Sequence, residues 1–334
     1  MVVMPLRLGY NTVQYKGNDM NGKQTRTIDR IITKKVDEWL ETIDNEELRE
    51  SCKRDVIVTG GCIASMLLGE QVNDYDVYFK SYSTTVNVAD YYLKKFQKNR
   101  SAQVRQGGIK YDMNLEELLD TQNRKRVRIV VKSAGIAGEE QKQDYEYFET
   151  EGAQGDAEDY VNEAFMNAEG EATTEDKPDY APVFLSSNAI TLKGGVQLIL
   201  RFHGDHEAIH ENFDFIHCTN YWTRKEKVVT NPEALLALMS RTLIYRGSLY
   251  PICSIFRSKK FIKRGWRINA GQYLKMALQI GELDLTSPII LEEQLTGVDV
   301  AYFQEVINMV RDKNDPEAPV DGTYLLTIVD KMFG

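Results

Sequence analysis

The chain has few cysteines and no long hydrophobic run. Its four cysteines show no CxxC spacing, which argues against a disulfide framework and favours reduced thiols in a cytoplasmic setting. No stretch approaches the roughly 18 apolar residues of a membrane span, so no membrane partner is expected. The N-terminus reaches polar residues too soon for a signal peptide. At 334 residues, one large domain or two medium ones are expected.

Acidic residues are unevenly distributed along the chain. The net charge is −9, but residues 139–180 hold fifteen Asp or Glu and two Lys, a local charge of −13, which leaves +4 elsewhere. A mildly basic body is compatible with a nucleotide or nucleic-acid partner. We interpret residues 138–182 as an acidic insertion, disordered or loosely helical. It could mimic nucleic acid, act as an autoinhibitory flap, or remain a solvated loop.

Residues 56–79, VIVTGGCIASMLLGEQVNDYDVYF, contain the most informative pattern. The apolar run at its start predicts a short buried strand, Gly60-Gly61 predicts a tight turn, and a helix is expected to follow. A second strand then carries Asp74 and Asp76. Because side chains two apart on a strand share a face, both carboxylates point the same way.

The paired aspartates and the glycine turn together suggest a metal and phosphate site. Adjacent carboxylates repel each other, and a hard divalent cation such as Mg²⁺ would stabilise them. The free N–H groups of a glycine turn at a helix start can bind phosphate. Nucleotidyl transfer requires both a metal site and a phosphate site. The alternative is a surface strand with two solvated aspartates after an ordinary turn.

This combination resembles the signature of the polymerase-beta-type nucleotidyltransferase superfamily. It is most similar to the head domains of poly(A) polymerases and CCA-adding enzymes, with Gly-Gly, a short helix ending in Leu-Leu-Gly, then Asp-x-Asp. The resemblance implies that the two glycines hold the triphosphate and that the two aspartates bind two ions, Mg²⁺ or Mn²⁺. Inside the helix, Ala64-Ser65 stand where CCA-type enzymes carry Arg-Asp, so the sequence does not predict which nucleotide is used.

The resemblance implies a third carboxylate, which we assign to Asp214. Residues 211–218 are interpreted as a strand in which this single carboxylate lies among aromatic and aliphatic residues. An unpaired buried charge is costly, and completing a metal site would explain it. The superfamily takes its third carboxylate from a later, adjacent strand, and viral and fungal relatives show a similar Phe-Asp run. Asp112 is the rival, although its surroundings do not predict a paired strand.

A basic helix is predicted at residues 251–263. Such a helix beside a metal-bound triphosphate would offset phosphate charge. The same viral and fungal relatives show a similar basic and aromatic run. We therefore assign Lys259, Lys260 and Arg264 as nucleotide contacts, with Ser65 as a further phosphate contact. A solvated basic face is the alternative.

Two further clusters have weaker interpretations. His203, His206, His210 and His217 lie close together but match no closed zinc pattern, so substrate contact or surface exposure is favoured over a zinc site. Residues 124–131 predict a strand with interleaved basic and apolar positions. Its basic side could line a nucleic-acid track or form the solvated face of an edge strand.

The predicted fold is α/β (α+β), a nucleotidyltransferase-type mixed sheet flanked by helices with a helical C-terminal domain. We divide the chain into an arm (1–27), a head (28–220) that contains the acidic insertion, and a helical domain (221–334). Helices are predicted at 27–40, 45–53, 86–99, 233–245, 251–263, 269–280 and 298–311, a closing element at 322–333, and a strand pair at 187–192 and 196–202.

These features together predict a metal-dependent nucleotidyltransferase. It would transfer a nucleoside monophosphate from a nucleoside triphosphate to a hydroxyl, with an RNA end such as that of tRNA as the favoured acceptor. Two alternatives remain: a catalytically silent nucleotidyltransferase-like structural or binding protein, including one of a viral particle, and a toxin-like enzyme that nucleotidylates tRNA or protein. The expected location is the cytoplasm, or the virion for a viral protein. The oligomeric state is not predicted.

Overall fold

The computed structural model describes residues 22–103, 111–119, 123–133 and 180–285 except 187, together with residues 287, 290 and 294. Most of the predicted N-terminal arm and of the acidic insertion lies outside these residues. The elements predicted at 298–311 and 322–333 also lie outside them.

The described residues form a mixed α/β structure, which confirms the predicted fold class. The helices are α1 (Thr25–Glu41), α2 (Glu46–Asp55), α3 (Gly61–Leu68), α4 (Tyr82–Gln103), α5 (His206–His210), α6 (Pro232–Ser240), α7 (Pro251–Lys263) and α8 (Ala270–Ile280). The strands are β1 (Val56–Thr59), β2 (Tyr75–Phe79), β3 (Tyr111–Leu119), β4 (Lys125–Ser133), β5 (Pro182–Leu185), β6 (Ala189–Leu192), β7 (Val196–His203), β8 (Tyr221–Thr223) and β9 (Lys227–Val229).

Seven strands form the main sheet, in the order β5-β6-β7-β2-β1-β8-β9. β2 and β7 are parallel, and the other neighbours in this sheet are antiparallel. β3 and β4 form a separate antiparallel pair. The main sheet therefore continues to Val229. The head predicted from the sequence ends earlier, at residue 220.

The largest hydrophobic core lies between one face of the sheet and helices α1, α2 and α4. In α1, apolar residues recur at helical spacing, so Ile28, Ile32, Val36 and Trp39 are all buried against the sheet. The indole Nε1 of Trp39 donates a hydrogen bond to Tyr92 Oη in α4 at 2.8 Å. This core fixes the position of β1 and β2.

Asp55 connects the end of α2 to the start of α4. Ser81 Oγ and Thr84 Oγ1 each donate a hydrogen bond of 2.6 Å to Asp55 Oδ2. Burial alone would raise the pKa of Asp55, but these hydroxyl bonds and the Arg54 guanidinium outweigh it and lower the pKa. The carboxylate therefore stays charged and holds β1, which begins at the next residue, against α4.

Two smaller cores lie outside the largest one. Ile57, Tyr78, Ile209 and Tyr221 form one of them. The other joins α3 to the C-terminal helices and contains Ala64, Phe215, Leu238, Leu243, Tyr245, Trp266 and Met276. Through this second core, α6, α7 and α8 pack beside the strands that carry the predicted site.

Several predicted elements differ from the structure. The helix predicted at 233–245 ends at Ser240 because Arg241 adopts a left-handed backbone conformation with φ 46°. The predicted strand at 211–218 is wrong, since the segment is a turn followed by a 3-10 helix, Ile216–Cys218. None of the helices in the described ranges is long and apolar enough to cross a membrane.

Candidate active site at the β1–α3 turn

The glycine turn lies between β1 and α3. Gly60 precedes the first residue of α3 with φ 95° and ψ −146°, a conformation essentially restricted to glycine. Its N–H donates a hydrogen bond to the carbonyl oxygen of Cys218 at 3.2 Å, which fixes the turn. A Cβ added at Gly61 would meet no heavy atom within 4 Å. The start of α3 therefore faces open space.

Asp76 lies directly against this turn. A Cβ at Gly60 would come within 3.0 Å of Asp76 Oδ2, so the glycine allows the carboxylate to approach the backbone. Burial and the neighbouring charge of Asp74 raise the pKa of Asp76 well above its ordinary value, while Arg257 opposes the rise. Burial also raises the pKa of Asp74, opposed by the Lys260 ammonium. The two carboxylates thus form one electrostatically strained pair.

Asp214 lies in the turn before the 3-10 helix and is only 8% exposed. Its Oδ2 accepts a hydrogen bond from Arg257 Nη1 at 2.8 Å, which forms an ion pair. Its carbonyl oxygen accepts a hydrogen bond from the backbone N–H of Arg246, also at 2.8 Å. The buried charge that the sequence analysis ascribed to a metal therefore has an arginine partner in the structure.

The strands beside β2 offer no acidic side chain. β7 is the later strand that pairs with β2, and its Gln197 lies opposite Asp76. β1, on the other side, has the sequence VIVT. Asp112 lies in β3 opposite Lys132 of β4, so the expectation that it lacks a paired strand is wrong, although this pair is separate from the main sheet.

Asp74 and Asp76 are the side chains of this site that suit a divalent cation. In the part of the chain that the structure describes, no group of three or more His, Cys, Asp or Glu side chains is arranged to hold a metal ion. The strained pair of Asp74 and Asp76 beside the glycine turn fits a hard cation, because such a cation would relieve the repulsion between the carboxylates. We infer that this pair is where Mg²⁺ would be held.

Two cationic side chains of helix α7 act electrostatically on the aspartates. Lys260 acts on Asp74, and Arg257, one turn earlier, acts on Asp76. The sequence analysis did not assign Arg257, because its partner Asp214 is 43 residues away and no local pattern indicates the contact. Lys259 is exposed to solvent.

Two other predicted nucleotide contacts lie away from the open space at the start of α3. Arg264 Nη2 pairs with Glu70 Oε2 at 2.8 Å, and Arg241 Nη1 pairs with Glu70 Oε1 at the same distance. Glu70 therefore clamps the end of α3 to the C-terminal helices. Ser65 is buried within α3.

The histidines do not form a common metal site. His203 Nε2 lies 2.8 Å from the Lys125 carbonyl oxygen, and His206 stacks on the Tyr221 ring. His210 Nε2 lies 2.8 Å from the hydroxyl of the buried Thr59. Each of these histidines thus has a local contact that accounts for its position.

His217 is buried among aromatic rings. It packs against Phe261 and Trp266, with ring centroids 4.6 and 4.3 Å away. Burial lowers the pKa of His217 to about 4, an effect that Asp214 opposes and Arg264 strengthens. Neither of its ring nitrogens has a hydrogen-bond partner among the described residues.

No curated protein matches the chain. A solved structure and a family model do match it. Among solved structures, the CCA-adding enzyme of Thermotoga maritima complexed with tRNA is similar, with 13% identity and a TM-score of 0.34. The alignment covers 83% of this chain and 54% of that chain, so this protein spans about half the length of the enzyme. This similarity is too distant to support a functional conclusion.

The model of the Gad2 family, Gabija anti-defense 2, matches residues 30–241, more than half of the chain and the whole segment from β1 to β9. The chain therefore belongs to the Gabija anti-defense 2 family.

Proposed function

We propose that this protein is a metal-dependent nucleotidyltransferase whose activity serves the anti-defense role stated in its family's name. The observation that carries this proposal is the contact between the glycine turn and Asp76, with Gly60 against the carboxylate and Asp74 two residues before it on the chain. This arrangement puts a cation-binding pair beside open space at a helix start. A pair of carboxylates and an accessible helix start are both needed to bind a nucleoside triphosphate with its metal.

The reaction is attack by an acceptor hydroxyl on the α-phosphate of a nucleoside triphosphate. The bond between the acceptor oxygen and the α-phosphorus forms, the bond to the β-phosphate bridging oxygen breaks, and pyrophosphate leaves with that electron pair. The hydroxyl proton passes to solvent. Mg²⁺, or Mn²⁺, would supply Lewis-acid stabilisation of the phosphate charge when it is bound.

Each residue near the turn has a role in this proposal. Gly60 and Gly61 let the phosphates approach the start of α3, whose backbone N–H groups favour anions. Asp74 and Asp76 hold the cation. Lys260 compensates the charge of Asp74 when no nucleotide is present and offsets phosphate charge when one is bound.

The acceptor would be an RNA end such as that of tRNA, or a protein side chain. Incubation of the purified protein with each α-labelled nucleoside triphosphate, Mg²⁺ and total RNA or total cell protein tests the proposal. We expect label on one acceptor class, and a loss of more than about 100-fold for Asp76→Asn, which removes a charge that holds the cation. The matched control is Asp44→Asn at an exposed position, which should transfer label normally.

A cell-based measurement connects the activity to the family. In cells that carry a Gabija defense system, the wild-type protein and Asp44→Asn should lower the protection that the system gives, and Asp76→Asn should not. Full activity of Asp76→Asn in this assay would show that the anti-defense role needs no nucleotidyl transfer.

A second candidate is a catalytically silent nucleotide-binding protein. The observation that favours it is the engagement of Asp214 by Arg257, because the described residues then contain no group of three metal-binding side chains at the pair. In that case Mg²⁺-dependent binding of a nonhydrolysable nucleotide would persist, but no label would reach RNA or protein.

A further inference from the structure

The surroundings of Asp76 contain a second positive charge that belongs to the protein itself. Arg257 is bound to Asp214 at 2.8 Å, and its charge also acts on Asp76. We propose that this site takes one divalent cation, held by Asp74 and Asp76, and that the guanidinium of Arg257, held by Asp214, replaces a second cation. This inference rests on the proposed function and makes Asp214 a positioning residue.

Asp214 is held in place by its neighbours. Its carbonyl oxygen is fixed by the Arg246 N–H, and the next residue, Phe215, forms a β-bridge with Tyr245. The side chain is almost fully buried. Turning it toward a metal would break the 2.8 Å ion pair and leave the Arg257 guanidinium, which is only partly exposed, without its carboxylate.

The two strands that pair with β2 carry no acidic residue. The residue opposite Asp76 on the parallel strand β7 is Gln197, an amide with no charge. Among the described residues, β1 and β7 contain no Asp or Glu at any position. A second divalent cation needs further anionic oxygen ligands, and these two strands do not supply them.

Two cationic residues of α7 are spaced so that they share one side of the helix. Arg257 and Lys260 are three residues apart, so they lie on the same side of the helix. Arg257 acts on Asp76 and Lys260 acts on Asp74. Helix α7 thus brings one protein cation to each aspartate.

The charges also favour a single ion. Three carboxylates and two cationic side chains leave the group at −1, since the members are Asp74, Asp76, Asp214, Arg257 and Lys260. One divalent cation changes this to +1, which attracts a polyphosphate. A guanidinium has five N–H donors. Arg257 can therefore donate to a phosphate oxygen while it keeps its hydrogen bond to Asp214.

A count of bound Mn²⁺ tests the proposal without any measurement of catalysis. The full-length protein is equilibrated with MnCl₂ and saturating α,β-methylene analogues of the four nucleoside triphosphates, and bound Mn²⁺ per chain is determined by electron paramagnetic resonance and by equilibrium dialysis. We expect one Mn²⁺ per chain in the nucleotide complex. Two Mn²⁺ per chain would overturn this inference and leave the proposed function intact, whereas no nucleotide binding would overturn both.

Two variants separate the roles of the aspartates. Asp76→Asn should weaken Mn²⁺ binding by more than about tenfold, since it removes a direct ligand. The double variant Asp214→Asn with Arg257→Gln removes both charges of the ion pair together, so neither residue keeps a charge without its partner. It should keep one Mn²⁺ but bind the nucleotide about tenfold more weakly, because one charge-assisted contact is lost. Loss of the Mn²⁺ from the double variant, with folding unchanged by circular dichroism, would show that Asp214 is a ligand.

Discussion

The two glycines of the β1–α3 turn should respond oppositely to the same substitution. Gly60 has φ 95° and ψ −146°, and an added Cβ would lie 3.0 Å from Asp76 Oδ2. Gly61 begins α3, and its added Cβ would meet nothing within 4 Å. Gly60→Ala and Gly61→Ala are therefore a matched pair, in which one methyl group is added at adjacent positions.

Gly60→Ala should lower the free energy of unfolding for three reasons. Forcing a non-glycine residue into this backbone region costs about 1–3 kcal/mol. The backbone can relax only by weakening the 3.2 Å hydrogen bond from Gly60 to Cys218, which is worth about 0.5–1.5 kcal/mol. The close approach to Asp76 adds to both effects. We expect the free energy of unfolding to fall by about 2–4 kcal/mol, a large part of the stability of an ordinary domain.

Gly61→Ala should leave the fold almost unchanged. Alanine is a better helix former than glycine by up to about 1 kcal/mol, and the added methyl group meets open space. Under the proposed function, however, that space is where the phosphates approach α3. The variant should therefore unfold at the wild-type urea concentration but bind the Mg²⁺ complex of a nonhydrolysable nucleotide at least about tenfold more weakly, a loss of about 1.4 kcal/mol.

Urea unfolding followed by circular dichroism and nucleotide binding by calorimetry make the comparison. The midpoint for Gly60→Ala should fall by about 1 M or more, for a slope of about 2–3 kcal/mol/M. A midpoint equal to that of the wild type would refute the conformational argument. Wild-type nucleotide affinity in Gly61→Ala would refute the placement of the phosphates at this turn.

Three further predictions concern residues around the site. Asp55→Ala should lower the free energy of unfolding by about 2–3 kcal/mol, since the hydroxyl groups of Ser81 and Thr84 lose a buried charged acceptor; an unchanged urea midpoint would contradict this. His217 has its pKa lowered to about 4, so the stability that it contributes is complete above pH 6.5 and is lost as the pH falls toward 4. His217→Phe should flatten the fall of the urea midpoint in that window, while His203→Phe serves as the control. Glu70→Gln should cost only about 1 kcal/mol, because its pairs with Arg241 and Arg264 are partly exposed, and high salt should reduce the difference.

Most of the fold was predictable where local signals and tertiary packing agree. Helix α7 runs from Pro251 to Lys263 as predicted, since a proline favours its start and Gly265 follows its end. Two residues of its predicted apolar stripe, Ile255 and Ile262, are nevertheless exposed. The strands β6 and β7 are joined by Gly194 and Gly195, which both adopt positive φ, as a tight hairpin turn requires. The strand-turn-helix-strand order around the two aspartates is also confirmed.

The segment 211–218 shows why local patterns can mislead. Phe213 and Phe215 alternate with polar residues as they would in a strand. In the structure, however, the two rings enter different cores, because Phe213 contacts Tyr78 and Phe215 contacts Tyr245. A chain that crosses irregularly between two cores produces the same period of two as a strand. The sequence cannot distinguish the two cases.

The site depends on a part of the chain beyond the residues that the family model matches. The match ends at residue 241, whereas Arg257 and Lys260 lie on α7. Without α7, Asp214 would remain in its turn with no cation beside it, and Asp74 would lose the charge that opposes the rise of its pKa. The matched residues therefore supply the carboxylates and the turn, and α7 supplies the charges that make their close approach tolerable. Under the proposed function, residues 242–263 therefore belong to the functional unit for this physical reason.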